Sequence, residues 1–175
     1  DPIGEYSSSC LGRERVFAYY SRTLGTRVCL FRLNYALDLR YGVLRDIADA
    51  IWEGRPVNRS VGWFNALWQG DANNHALLAL DHCTAPATPL NVTGPETASV
   101  TAVAERFGRL LDKPVTFNGD PGPVAYLNDA SRAHSLFGYP RVALDTFIEW
   151  TADWIKSGGR SLGKPTHFEV SSGKF

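Results

Sequence analysis

Tyr6-Ser7-Ser8-Ser9-Cys10, with Glu14 one helical turn beyond, opens the stretch whose reading decides the fold. From Leu11 to Leu24, apolar Leu11, Val16, Phe17, Tyr20 and Leu24 recur at three-to-four spacing, with Arg13, Glu14, Arg15 and Arg22 between them. That period predicts a helix, and Gly25 ends it as a C-cap glycine. Arg27-Val28-Cys29-Leu30-Phe31-Arg32-Leu33 follows as a short apolar run of strand formers. Such a run suits a strand buried on both faces, hence a parallel sheet. Helix, glycine and buried strand make the second half of a βαβ unit.

The whole chain agrees with that class. Its 175 residues, 44% hydrophobic and 21% charged, are enough for one ordinary domain with its own core. Eighteen basic and eighteen acidic side chains cancel, and no basic run offers a footprint for nucleic acid or an anionic membrane. No apolar stretch is long enough to span a bilayer, and no charged-then-apolar leader opens the chain. Cys10, Cys29 and Cys83 are odd in number and widely spaced. They argue for a reducing, cytoplasmic setting rather than a disulfide framework. The acceptor patterns Asn58-Arg59-Ser60 and Asn91-Val92-Thr93 then read as coincidence. The absence of methionine and the opening Asp1-Pro2 suggest a cut or incompletely represented polypeptide.

Further along, Leu44–Glu53, Asp71–Asp81, Ser99–Leu111, Ala130–Gly138 and Ala143–Ile155 read as helices. Ser99 is the expected N-cap of the third of these, and Asp71 or Asn73 that of the second. Arg59–Gln69, Pro89–Val92 and Pro114–Phe117 read as strands, and Asn118–Pro123 as turn material. After Gly158-Gly159 the composition turns to Gly, Ser, Lys and His, predicting a loosely held tail.

Taken together, these segments resemble the extended short-chain dehydrogenase/reductases, the NAD-dependent epimerase/dehydratase family. The run Y-x-x-S-C-x-x-x-E has the spacing of that family's active-site helix, with Cys10 standing where the lysine of Y-x-x-x-K would be. Phe31-Arg32-Leu33-Asn34-Tyr35 is similar to the strand end that faces nicotinamide and substrate, one residue shorter between Arg and Asn. Trp68-Gln69-Gly70-Asp71-Ala72 resembles the segment opening the next helix over the substrate cleft. Pro89-Leu90-Asn91-Val92-Thr93-Gly94 and Leu136-Phe137-Gly138-Tyr139-Pro140 are similar to two later family stretches. The likeness runs in order from about Pro2 to Ile155.

The resemblance implies an α/β chain: the back half of a Rossmann-type doubly wound sheet plus a small C-terminal substrate-binding subdomain. Residues 1–37 would end the Rossmann-type core, 38–157 form the substrate-binding portion, and 158–175 be the tail. It implies Tyr6 as catalytic acid/base, Arg32 and Asn34 toward the cofactor, and Tyr35, Trp68 and Asp71 toward substrate. The intact protein would use NAD or NADP on a small molecule such as a sugar or nucleotide sugar, and would form a homodimer through the first helix.

The departures from the family pattern are specific. There is no G-x-x-G-x-x-G, so no glycine turn brings backbone N–H groups to a pyrophosphate, and this chain alone is expected to bind no dinucleotide tightly. Near Phe117-Asn118-Gly119-Asp120 no arginine stands where the family often grips a nucleotide-sugar phosphate. Cys10 supplies neither the positive charge nor the three donors of a lysine. Tyr6 reads equally as a substrate-site group or a structural aromatic, and Cys10 as a small buried residue.

Two other functions stay open: a non-catalytic dinucleotide-binding sensor or scaffold, and a small cofactor-free binding module. His75, Asp81, His82 and Cys83 lie close in sequence but match no recurrent zinc spacing, so no metal is expected.

Overall fold

The computed structural model describes residues 2–170. Helix α1 (Gly4–Leu24) begins seven residues before the periodic stretch, taking in Tyr6 and Cys10, and ends at Gly25 with φ 69°. It is followed by β1 (Cys29–Leu33) and β2 (Ala36–Leu37), then α2 (Val43–Trp52). Three short strands come next, β3 (Val57–Asn58), β4 (Val61–Phe64) and β5 (Leu67–Trp68), then α3 (Gln69–Leu78), which runs into a 3-10 turn at Ala79–His82. The chain continues through β6 (Thr88–Val92), β7 (Ala98–Ser99), α4 (Val100–Leu111), β8 (Phe117–Asn118) and β9 (Val124–Tyr126). It closes with α5 (Ser131–Phe137) and α6 (Leu144–Lys156).

The expected parallel pairing is present. β1 lies parallel to β6, with Cys29 opposite Thr88 and Leu33 opposite Val92. Among the described residues β1 pairs with no other strand, so it is less buried than its composition predicts: Cys29, Leu30 and Phe31 are half-buried, Arg32 and Leu33 exposed. The same narrowness explains α1. A helix of 21 residues is about 31 Å long, whereas two strands offer a shelf only about 10 Å wide. Ser21 is its single buried side chain, and Val16, Phe17, Tyr20 and Leu24, the face that periodicity turns inward, stay exposed.

The principal core lies elsewhere. Helices α2, α4 and α6 pack on one another and α4 packs on β4, burying Leu44, Ile47, Ile51, Val103, Phe107, Phe147 and Phe64. Ser99 caps α4 as expected, its Oγ accepting the Ala102 N–H at 3.4 Å. A smaller cluster of Leu67, Ala72, Ala79, Leu90, Val92 and Ala133 holds α3 and α5 against β6.

Several elements differ from the sequence reading: it does not foresee the short strands β2, β3 and β7, and the strand expected over Pro114–Phe117 is instead β8, Phe117–Asn118. The stretch Arg59–Gln69 is not one strand but two, β4 and β5, parted at Asn65-Ala66 because β4 pairs with β9, its last ladder bond running from the Asn65 N–H to the Tyr126 carbonyl at 3.3 Å, whereas β5 pairs with β2. That carbonyl belongs to β9, which pairs parallel with β4 and which periodicity passes over because it is three residues long after a Pro-Gly-Pro run. Asp71 caps nothing: α3 starts two residues before it, and its carboxylate is spent on a distant backbone group.

The segment after α6, expected to be loosely held, is fastened at several points as far as Val170. Asp46 accepts both the N–H and the hydroxyl of Thr166, at 2.7 and 2.6 Å, and Phe168 is buried in the core. The rest of that tail, residues 171–175, lies outside the described residues.

Candidate functional site at the carboxyl ends of two parallel strands

In open α/β sheets ligands bind beyond the carboxyl ends of the strands. Here those ends are Asn34, directly after β1, and Thr93-Gly94, directly after β6, joined by the Asn34 N–H to the Val92 carbonyl at 3.0 Å. The Asn34 side-chain amide donates to Asn65 Oδ1 at 2.7 Å and to the Asn65 and Tyr126 carbonyls at 3.1 and 3.3 Å. Asn65 in turn donates to the Asn128 carbonyl at 2.8 Å and accepts the Asn128 N–H at 3.2 Å. A polar knot therefore ties the end of β1 to the break between β4 and β5 and to the chain after β9. Asn65 and Tyr126 escape sequence reasoning; the one visible signal is an asparagine interrupting the apolar run Val61–Trp68.

Tyr35 continues from the knot with φ 39°, a left-handed conformation that costs a non-glycine residue about 1–2 kcal/mol. Its ring meets Phe64 and Tyr126 edge-on, each at 6.2 Å, and burial pushes its hydroxyl well above the ordinary tyrosine range. It is therefore a neutral donor, not a base. Tyr41 lies within electrostatic reach of both Tyr35 and Tyr6 and is a third phenol of this region that the sequence does not single out.

Tyr6 is 70% exposed on the first turns of α1. The adjacent Cys10 thiol raises its pKa, and burial adds to this; Arg13 opposes them without reversing the direction. Arg13 instead leans on Cys10, with Nη2 3.7 Å from Sγ. The effect expected of a lysine at position 10 is thus inverted. Arg32 is paired with Glu14, through Nε–Oε1 at 2.8 Å and Nη2–Oε2 at 2.6 Å.

The remaining expected residues form a separate group. Trp68 is one-third exposed and meets Trp150 edge-on at 6.2 Å. Asp71 is buried and accepts the Val142 N–H at 3.0 Å, pinning the chain between α5 and α6.

Two clefts stand out on the surface. One, of about 360 Å³, opens against the knot and is walled by Asn65, Gly94, Asn128, Ser131, His134 and Tyr139. His134 Nε2 lies 3.0 Å from the Thr93 carbonyl and its ring stacks at 4.9 Å on Tyr139. The other, of about 410 Å³, runs between α2 and residues 161–169. Although larger, it lies away from the strand ends, and its arginines are already paired: Arg45 with Asp49, Arg40 with Asp38, Arg55 with Glu53. The first cleft is the better candidate for a ligand. Among the described residues no three His, Cys, Asp or Glu side chains gather as a metal site requires, and no helix is long and apolar enough to cross a membrane.

No protein-family profile matches the chain, and no curated protein matches it in sequence. Solved structures do. UDP-glucuronic acid 4-epimerase from Bacillus cereus, in complex with NAD, superposes with a TM-score of 0.75 at 20% identity, over 90% of this chain and 54% of that one. dTDP-glucose 4,6-dehydratase from Bacillus anthracis, in complex with NAD, gives 0.72 at 19%, over 90% and 53%. RMD from Pseudomonas aeruginosa, complexed with NADPH, gives 0.68 at 18%, over 89% and 60%. The chain spans about half the length of the solved structures it matches. At these identities the likeness establishes the fold: a mixed α/β chain matching the C-terminal half of Rossmann-fold epimerases.

Proposed function

We propose that this chain is the substrate-binding and catalytic half of an NAD(P)-dependent epimerase/dehydratase-like oxidoreductase acting on a sugar or nucleotide sugar. The observation that carries this reading is the parallel β1–β6 pair ending at Asn34 and Thr93-Gly94, with an open polar cleft beside it. In this reading residues 1–37 close a Rossmann-type core, 38–157 shape the substrate side, and 158–175 follow as the tail. A nicotinamide dinucleotide, when bound, accepts or returns a hydride at C4 of its ring.

The residues here fit only the nicotinamide end of such a group, since no glycine turn stands ready for the pyrophosphate. Arg32 and Asn34 would face that end. Tyr6 would hold or release a proton at its hydroxyl, and Tyr35 would donate from a neutral phenol. Trp68 and Asp71 would order the substrate-side wall, Asp71 through Val142 rather than by touching the ligand. A homodimer would bury the exposed apolar flank of α1 around Phe17 and Tyr20.

A second reading has its own support. Tyr6 is shifted away from acid/base competence, and Arg32 is held by Glu14. Both favour a dinucleotide-binding sensor or scaffold that keeps the fold without the reaction. The test is titration of the native protein with NAD and NADP, followed by nicotinamide absorbance during turnover of candidate nucleotide sugars. Turnover that Tyr6→Phe abolishes supports the enzyme. Dinucleotide binding without turnover supports the sensor. Absence of dinucleotide binding overturns both and leaves a cofactor-free binding module.

A further inference from the structure

Cys29 and Cys83 are far apart in sequence, yet the fold sets them opposite one another. The bridge between Val28 and Thr84 is antiparallel and closed by both of its hydrogen bonds, Val28 N–H to Thr84 O at 2.9 Å and Thr84 N–H to Val28 O at 3.3 Å. In an antiparallel ladder the position next to such a doubly bonded pair is a non-hydrogen-bonded pair. The bridge is isolated, but its register, carried one step on from Val28 and one step back from Thr84, sets Cys29 against Cys83. Such a pair brings Cα atoms to about 4.5 Å with both side chains on one face. A disulfide needs a Cα separation of roughly 4.4–6.8 Å.

The surroundings agree. Cys83 has extended backbone angles (φ −67°, ψ 132°), as continuing the ladder requires. Its Sγ lies 3.6 Å from the Ala79 carbonyl, and Cys29 packs against the cluster that contains Ala79, so both sulfurs turn to the same side. Arg27 Nε bonds the Cys83 carbonyl at 2.9 Å and braces the two segments from a third point. Burial and the nearby Cys83 both push the Cys29 thiol up, in keeping with that proximity. Cys10 belongs to the other side. Arg32 reaches α1 through Glu14, and Cys29 stands three positions before Arg32, an odd offset, so strand alternation turns Cys29 away from α1. Both partners are half-buried, so a small oxidant reaches them while the fold holds them in register.

We propose that Cys29 and Cys83 form a redox-sensitive thiol pair, a modification site oxidised by low-molecular-weight disulfides such as oxidised glutathione. One cysteine thiolate attacks a glutathione sulfur, forming a mixed disulfide and expelling one glutathione thiolate. The second cysteine gives its proton to solvent and attacks the protein-bound sulfur, forming the Cys29–Cys83 bond and releasing the second glutathione. Two electrons and two protons leave the protein, and one oxidised glutathione becomes two reduced. The bond would lock the amino end of β1, the strand that leads to Asn34, to the turn leading into β6.

The experiment is to incubate the folded protein with oxidised glutathione, quench with an alkylating agent, and map non-reduced peptides by mass spectrometry. The expected product has lost two hydrogens, about 2 Da, and carries one cross-link, Cys29 to Cys83, with Cys10 alkylated or singly glutathionylated. Cys29→Ser and Cys83→Ser should each stop at a mixed disulfide on the remaining partner. The proposal fails if both thiols are recovered alkylated or stably glutathionylated, or if Cys10 enters the link. It fails equally if Cys83→Ser still loses the two hydrogens. The same oxidation in urea should scatter the cross-link over all three cysteines; equal selectivity there would show that the fold is not its cause.

Discussion

The Arg32 guanidinium grips the Glu14 carboxylate through two hydrogen bonds, at 2.8 and 2.6 Å, and so joins β1 to α1. Together with Ser21, whose hydroxyl points at the Thr84 carbonyl from 3.5 Å, it seats a helix that otherwise buries little on the sheet. The bond to Arg32 holds the Glu14 carboxyl below its ordinary pKa. A depressed carboxylate stabilises the fold above the unfolded pKa, and the gain is lost as pH falls through the folded value. Both side chains are partly exposed, so screening limits the pair to about 0.5–1 kcal/mol. Glu14→Gln should therefore lower stability to urea at neutral pH, and the gap from wild type should close in acid below the ordinary Glu range. A gap independent of pH would show that Glu14 acts by packing instead.

Asn65 serves Asn34 and Asn128 at once and is itself buried. Asn65→Ala strips the Asn128 N–H of its acceptor and the Asn128 carbonyl of its donor, while the Asn34 amide keeps only the Asn65 and Tyr126 carbonyls, and it should cost about 1–3 kcal/mol. Amide exchange should quicken at Asn34 and Asn128 more than within α4, because the knot rather than the helical core is released. Equal quickening everywhere would count against it.

Asp71 separates a structural role from a ligand-touching one. Asp71→Ala strips the Val142 N–H of its acceptor and should lower stability by about 1–3 kcal/mol. Asp71→Asn keeps an acceptor oxygen and should cost clearly less. Comparing the two by thermal unfolding decides whether hydrogen bonding to Val142 is what this buried residue supplies.

Burial raises the Asp46 pKa, while the two Thr166 bonds pull the other way without prevailing. A raised acid destabilises the fold above its folded pKa, and that cost disappears as pH falls toward the unfolded value. Asp46→Asn should therefore flatten the stability profile across the window just above the ordinary Asp range. Thr166→Val, which removes the hydroxyl donor, should speed amide exchange in residues 160–170 while leaving α4 unchanged. Unchanged exchange in that segment would mean that Phe168 alone seats it.

Sequence by itself determined the features that depend on neighbours along the chain. The helices over α2, α4 and α6, the Gly25 and Ser99 caps and the two parallel strands β1 and β6 follow from periodicity and capping chemistry, which act within a few residues. Tertiary structure decided whatever needs partners distant in sequence. Only the separate partners β9 and β2 split the stretch at Asn65, only Val142 turns Asp71 from a cap into an anchor, and only Asp46 and the core fasten Thr166 and Phe168. The Val28–Thr84 bridge likewise sets Cys29 against Cys83 across more than fifty intervening residues. A buried polar group must find a partner wherever the fold brings one, so its role is fixed by chain folding rather than by its neighbours in sequence.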